Sequence, residues 1–457
     1  MPKKKTALTI EERLQQALVP AEEQPYKVPE NWVWVRLGAV CFFENGYAFK
    51  SDKFSSEKGI PVIRISNIKE NNVDLDDCIK TLEENIDEKF IVHQGDLLIA
   101  MSGATTGKNG VYMSANIAYL NQRVGNIKVK NKELLIEKFR NFYIANMQNE
   151  ILNTAYGGAQ PNISSQKMSV MTFPLPPLSE QQRIVERIEE LFAKLDEAKE
   201  RLQEVADSFA VRKAAILHKA FTGELTKQWR WENGVSYESW EEKKLGEVSF
   251  WLGGGTPSTS REEYWENGNI LWITSKDMKS AVIEDTLMKV NEIGVKNSSA
   301  NYIEKPALLV VMRSGILRRT FPVAMVKKPF TVNQDLKAII PDKDDLEFLY
   351  WMLLSNEQRI LDTCMKNGTT VESINSNALK DLTFKCPTLP EQHEIVRLID
   401  DLLARERSAQ QAAEQALASI DLMKKSILAR AFRGELDTNK ASEASALELL
   451  KQVLAEN

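Results

Sequence analysis

Little in this 457-residue chain invites redox or metal chemistry. Its four cysteines, Cys41, Cys78, Cys364 and Cys386, lie far apart with no CxxC pair, so the spacing encodes neither a disulfide framework nor a structural zinc. The three histidines, His93, His218 and His393, are equally dispersed. HExxH, a Rossmann GxGxxG after a strand, and an Asn/Asp-Pro-Pro-aromatic methyltransferase motif are all lacking. No catalytic residue and no metal ligand is therefore expected. No apolar run reaches the length of about 18 residues that spans a bilayer. The amino terminus, MPKKKTALTIEERL, lacks the apolar core of a secretory signal, so a cytoplasmic location is expected. An excess of positive charge is missing too: the net charge is −5. Residues 31–174 carry 16 Lys/Arg against 15 Asp/Glu, and residues 240–385 carry 19 against 20. A polycation that coats DNA is excluded, and any DNA contact must come from local clusters.

What the chain does have is a repeat with a period near 211. Residues 176–225 and 387–436 are identical at 19 of 50 positions without a gap. Shared residues include Pro176/Pro387, Glu180-Gln181/Glu391-Gln392, Ile184-Val185/Ile395-Val396 and the closing Ala-Phe-x-Gly-Glu-Leu at 220–225 and 431–436. Upstream, more divergent stretches keep landmarks: Trp34…Leu37-Gly38 with Trp240…Leu245-Gly246, Val62-Ile63-Arg64 with Trp272-Ile273-Thr274, Leu97–Met101 with Leu308–Met312, and Asn121-Gln122 with Asn333-Gln334. The chain is an internal duplication.

In the first copy Ile184, Ile188, Leu191, Leu195, Ala198, Leu202, Val205 and Phe209 fall at alternating steps of four and three, a heptad seam. Ser179 with Gln182 has the capping-box pattern, and Gly223 supplies a stop. About 40 helical residues would make a rod of roughly 60 Å. The second copy keeps the register with Ile395, Ile399, Leu402, Glu406, Ala409, Ala413, Ala416 and Ile420, large residues facing small ones. Pro390 replaces the capping serine and weakens this second start. Gapless equal length suits two antiparallel helices.

The globular halves alternate short β-rich runs (Val62–Ile65, Asp96–Ala100, Val124–Val129; Ile270–Ile273, Leu308–Met312, Lys337–Ile340) with helices expected at Lys132–Asn149 and Asp344–Asp362. The class is α+β: two globular α/β-mixed domains separated by two long antiparallel coiled-coil helices, as a pseudo-twofold repeat. Polar loops include 253–258 and 157–162. The loop 102–109 departs from a P-loop in glycine spacing and in Asn109. Like 313–319 in the second half, it is a small, basic loop after a strand, which suits a DNA phosphate or base edge, or else a solvated turn.

The LPPLSEQQRIV opening at 175–185, the heptad helix and the AFTGELT close resemble the spacer helices of the specificity subunits of type I restriction-modification systems. Residues 11–34, DLLIAMSGATTGK at 96–108 and LTKQWRWEN at 225–233 are similar to family sequence as well. The resemblance implies an N-terminal arm (1–30), target-recognition domain 1 (31–174), spacer helix 1 (175–225), a linker (226–239), target-recognition domain 2 (240–385), spacer helix 2 (386–436) and a C-terminal helical tail (437–457). It implies a sequence-specific DNA-binding subunit without catalysis of its own, each domain reading half of a bipartite asymmetric site in double-stranded DNA. The helices would set the spacer and dock two methyltransferase subunits, with restriction/translocase subunits in the full complex. S-adenosylmethionine, ATP and Mg would be bound on those partners and none on this chain. Base readout is expected from loops: Tyr47, Lys50, Arg64, Asn67, Thr105, Lys108, Gln122 and Arg123 in the first domain, and Thr256, Ser258, Arg261, Lys276, Arg313, Arg318, Arg319 and Gln334 in the second. The alternative is a helical repeat scaffold that binds no DNA.

Overall fold

A computed structural model of the chain describes residues 9–82, 86–156, 160–366 and 371–456. Of the polar loop 157–162, residues 157–159 lie outside them. The chain divides into two compact units, Met1–Arg201 with Ala416–Asn457, and Leu202–Gln415.

In the first unit, strands follow the β-branched and aromatic runs. Cys41–Asn45, Val124–Val129, Leu97–Ala100, Asn109–Val111 and Asn71–Asn72 lie in that order in one five-stranded sheet. A second sheet is built around the parallel pair Ile60–Ile63 and Ala118–Leu120, with Val62 opposite Tyr119. Val33–Arg36 and Thr172–Leu175 pair antiparallel and close the domain. The second unit repeats this economically. Ser249–Gly253, Leu336–Pro341, Ala307–Val311 and Val323–Val326 form one sheet, and Met288–Val290, Ile270–Ile273 and Phe330–Val332 another. Glu241–Lys244 pairs with Thr383–Cys386. Each expected long helix is two short ones, Glu137–Asn146 with Gln148–Ala155, and Leu346–Ser355 with Glu357–Cys364.

The long helices are Leu178–Asp207, continued after Ser208 by Phe209–Phe221, and Leu389–Ala431. The 43 residues of the latter make roughly 65 Å of helix at 1.5 Å per residue. Within each unit the pairing is antiparallel. In the first, Arg183 Nε donates to Thr438 O (2.9 Å) while Asp196 takes Lys424 Nζ (2.6 Å). In the second, Arg212 pairs with Glu406 and Arg230 with Glu391.

The seam departs from the expected register at four places. Ile184, Ile188, Ile395, Ile399, Ala413 and Ile420 are buried, and Leu191, Leu195, Ala198, Leu202, Phe209 and Ala416 are half-buried. Val205, however, is 38% exposed and Ala409 is exposed. Leu403 is buried in place of Leu402. In the second helix these departures precede Ala413 and Ile420, where the expected register is kept. The fourth departure is the start: the helix begins at Leu178, where Pro177 O accepts Glu180 N (2.9 Å) and Gln181 N (3.0 Å). Ser179 therefore lies inside the first turn and is no N-cap. The second helix starts in the same way on Thr388 O, since a proline in the first turn has no helical partner to lose.

The repeated Glu-Gln doublet locks each helix start to its domain. Glu180 Oε2 accepts Trp32 Nε1 (2.7 Å) and Asn439 Nδ2 (2.7 Å). Glu391 accepts Trp240 Nε1 (2.9 Å), Thr226 Oγ1 (2.7 Å) and Arg230 Nη1 (2.6 Å). The equivalent of Trp240 is thus Trp32, not Trp34, and the offset of 208 also fits Leu37-Gly38 and Leu245-Gly246. Gln181 accepts Ile136 N and donates to Leu134 O and Pro176 O. Gln392 accepts Asp345 N and donates to Asp344 Oδ1 and Pro387 O.

The carboxyl end of the chain completes the first unit. Leu428, Phe432, Leu436, Ala446, Leu450 and Val453 are buried in one core with Leu37, Phe139, Phe173, Ile184 and Ile188. Burying a large apolar side chain is worth about 1.5–3 kcal/mol. Thr9 caps the helix Ile10–Ala17, and Arg13 Nη1 donates to Leu454 O (3.3 Å), tying the arm to the tail helix Ala446–Glu456. In the second unit the corresponding core takes Leu217 and Ala220 instead.

Candidate nucleic-acid interface

Strand register brings several loops of the first unit to one turn. Val124 lies opposite Ala100, Gly125 opposite Asn45, and Leu120 beside Ile63. The turn Asn121–Arg123 is therefore walled by the chain after each of those strands. Asn121 N donates to Ile63 O (3.1 Å), Gln122 N to Tyr47 O (2.9 Å) and Met101 N to Arg123 O (2.9 Å). A Cβ on Gly46 would lie 2.1 Å from Asn121 O, so only glycine lets the chain pass this close.

The second unit builds the same turn from Asn333, Gln334 and Asp335. Asn333 N donates to Ile273 O (3.0 Å) and Met312 N to Asp335 O (2.8 Å). Gly254 plays the part of Gly46, since a Cβ there would lie 1.7 Å from Val332 O. Thr256 Oγ1 donates to Gln334 Oε1 (2.7 Å), so two candidates far apart in sequence meet.

The candidates divide into those that border these turns and those already engaged. Gln122 and Arg123 are exposed on the first turn. Tyr47 borders it through backbone contacts while its ring packs on Phe49 and Phe90 at 4.9 and 5.4 Å. Arg64 follows the strand that receives Asn121, and its Nε is buried without a hydrogen-bond partner. Ser102 Oγ and Thr105 Oγ1 share that condition. Lys108 closes the loop, donating its N to Thr105 O (3.0 Å), and Lys50 is exposed beyond Phe49. Asn67 is a different case: it is buried, accepts Arg64 N (3.0 Å) and donates to Asp74 O (3.2 Å). Its amide ties Arg64 to Asp74 within one loop.

In the second unit Arg313 and Arg319 are exposed, Arg313 directly after Met312, and Lys276 is exposed in the turn after Ile270–Ile273. Arg318 is held by Glu372, and its guanidinium keeps that carboxyl below the usual range. Arg261 donates to Tyr264 Oη (3.0 Å) and pairs with Glu263 (3.5 Å). Ser258 shares a hydrogen bond with Ser260 (2.8 Å). Each of these three contacts a neighbouring side chain, with Arg318 and Arg261 still largely exposed. What the sequence reading missed is the pair Gly46 and Gly254, for which the fixed offset of 208 was the available signal.

Among the described residues, no three His, Cys, Asp or Glu side chains are placed to hold a metal ion. Burial pushes the Cys41 and Cys386 thiols up to about 12, out of reach of thiolate chemistry. No helix among the described residues is long and apolar enough to cross a membrane.

The family model "Type I restriction modification DNA specificity domain" matches residues 29–207 and 237–416. The chain belongs to that family. It is 40% identical over 161 residues to the EcoR124I/EcoR124II specificity subunit of Escherichia coli, a stretch of 35% of this chain and 40% of that one. It is 27% identical to the E. coli EcoBI specificity subunit, covering 94% and 93% of the two chains, and 25% identical to the EcoKI subunit of strain K12, covering 94% and 96%. In fold it is similar to the HsdS subunit from Thermoanaerobacter tengcongensis, with a TM-score of 0.63 at 18% identity over 90% of this chain and 99% of the other. As a family member, the chain is a DNA-specificity subunit with two mixed α/β recognition domains and long antiparallel helices. The scaffold reading that denies it DNA is set aside.

Proposed function

We propose that each unit reads one half of a bipartite, asymmetric duplex site with the loops gathered at its Asn-Gln turn. The observation that carries this is one backbone frame built twice, with different side chains mounted on it. A frame repeated for stability alone would not need loops that diverge while its hydrogen bonds persist. Tyr47, Lys50, Arg64, Thr105, Lys108, Gln122 and Arg123 serve the first half-site, and Thr256, Lys276, Arg313, Arg319 and Gln334 the second. Arg and Lys suit guanine edges or phosphates, and glutamine suits adenine. The antiparallel helices set the unread spacer and dock two methyltransferase subunits, and restriction/translocase subunits join the full assembly. S-adenosylmethionine, ATP and Mg act on those partners, and this chain contributes specificity without catalysis. Partners that supply phosphate contacts account for its near-neutral charge. Its substrate is chromosomal and invading DNA, which places it in the cytoplasm.

The test is a genome-wide map of N6-methyladenine in the source strain with and without this gene. Loss of one asymmetric, bipartite motif is the expected result. An unchanged methylome in a strain that expresses the chain overturns the reading.

A further inference from the structure

The two turns share their first two residues and differ at the third: Asn121-Gln122-Arg123 against Asn333-Gln334-Asp335. Two backbone bonds of the frame recur, at the first and the third residue, whereas the bond from Gln122 N to Tyr47 O has no counterpart at Gln334 among the described residues. Asn121 N to Ile63 O (3.1 Å) corresponds to Asn333 N to Ile273 O (3.0 Å), and Met101 N to Arg123 O (2.9 Å) to Met312 N to Asp335 O (2.8 Å). The third side chain therefore leaves each frame from the same point. The next position on the neighbouring loop changes in the opposite sense, from Ser102 to Arg313, whose N also donates to Asp335 O (3.3 Å). The cation has moved from the turn to the loop beside it, and an acid has taken its place.

We infer that this third turn residue determines specificity, Arg123 reading a guanine edge in one half-site and Asp335 a cytosine amino group in the other. The inference rests on the DNA-reading role proposed above. The Asn-Gln pair is shared, apart from the Thr256 hydroxyl that Gln334 Oε1 accepts (2.7 Å), so the change of charge on the frame falls at the third position. Guanine offers two acceptors in the major groove, which a guanidinium satisfies in bidentate fashion. A carboxylate finds a donor among the same edges in the cytosine amino group, and beside phosphate it would be repelled. Arg123 is exposed; Asp335 is half-buried, its Oδ2 accepting Asn333 Nδ2 (3.5 Å) and its Oδ1 left for a further donor.

The experiment isolates the complex through a tag on this chain and selects bound duplexes from a pool randomised in both half-sites. Arg123→Gln should cut the preference for guanine at one position of one half-site by roughly tenfold to a hundredfold. The other half-site and the spacer should stay as they were. Asp335→Asn should change one position of the other half-site. Weakening of all sequences alike, with a shallower salt dependence, would make Arg123 a phosphate contact and overturn the assignment. An unchanged preference overturns it as well. Gln122→Ala and Gln334→Ala go through the same selection. If they shift the motif while Arg123→Gln does not, only the third-residue assignment fails. If none of the four shifts it, base reading at the turns fails altogether.

Discussion

The two units solve one problem, a buried glutamate at a helix start, with different partners. Glu391 is neutralised: Arg230, with only 9% of its side chain exposed, lies 2.6 Å from a carboxylate that is fully buried. Glu180 is equally buried but receives neutral donors, the Trp32 indole and the Asn439 amide. Its nearby cation, Arg183, is committed bidentately to Glu443 at 2.8 and 2.7 Å. Burial accordingly raises the Glu180 carboxyl above its ordinary value, the neutral donors only partly offsetting it. The partners also come from different places. The second unit draws Thr226 and Arg230 from the middle of the chain, whereas the first draws Thr438 and Asn439 from its far end. One architecture tolerates either solution because the indole-to-carboxylate bond is kept in both.

The largest break in this comparison is removal of residues 437–457. That takes Asn439 and Thr438 from Glu180, Glu443 from Arg183, and Leu450 and Val453 from the core. The two apolar side chains alone are worth about 3–6 kcal/mol, and a buried carboxylate loses donors besides. Set against an ordinary stability of about 5–15 kcal/mol, the first unit should lose its fold. Limited proteolysis should then digest residues 31–174 rapidly and leave 202–415 resistant. Digestion of both at one rate would show that the tail supports more than its own unit.

Next in size are Glu391→Ala and Glu180→Ala, followed by differential scanning calorimetry. The first strands a buried guanidinium and should cost the second unit about 3–5 kcal/mol. The second strands only neutral donors and should cost the first unit about 1–3 kcal/mol. Equal losses would mean that Arg230 finds another partner. A smaller effect sharpens the contrast through pH. A carboxyl whose folded value is raised stabilises most below its unfolded value of 4.5 and loses that contribution as pH rises through the folded value. Lowering the pH from 7 towards 4.5 should therefore improve the native chain relative to Glu180→Gln. A pH-independent difference between the two would contradict the raised value.

Much of this was legible because the duplication announced itself: equal length exposed the helices, and matched strand runs located both sheets. The Asn-Gln landmarks even marked the turns. Long-range pairing stayed hidden. Nothing local to Arg318 reveals that Glu372, 54 positions away, will claim it. Nothing local to Asn67 says that its amide will close a loop onto Asp74. Trp34 was matched to Trp240 because both precede Leu-Gly, yet a carboxylate 148 residues downstream selects Trp32. Heptad counting placed the seam but not the local shift from Leu402 to Leu403, which depends on what each side chain packs against.

The smallest expected effect concerns a serine that both helices carry. Ser208 and Ser419 stand 211 residues apart, and each donates its hydroxyl to a preceding carbonyl, Ser208 to Val205 O (3.2 Å) and Ser419 to Ala416 O (2.7 Å). Only the first helix is interrupted there. Back-bonding serine bends a helix slightly, so it cannot alone explain the difference. Arg212 can: it bonds the Ser208 hydroxyl and donates Nη2 to Val205 O (3.0 Å), competing for the carbonyl that the helical ladder would use. Its counterpart in the second helix is Met423, which has no donor. Arg212→Met should thus slow amide exchange at Phe209, the ladder donor to Val205 O, and leave Ser208, whose N already donates to Glu204 O (3.0 Å), unchanged. Loss of the partly exposed ion pair with Glu406 limits the stability change to less than about 1 kcal/mol. Unchanged exchange at Phe209 would place the cause of the break in Ser208 itself.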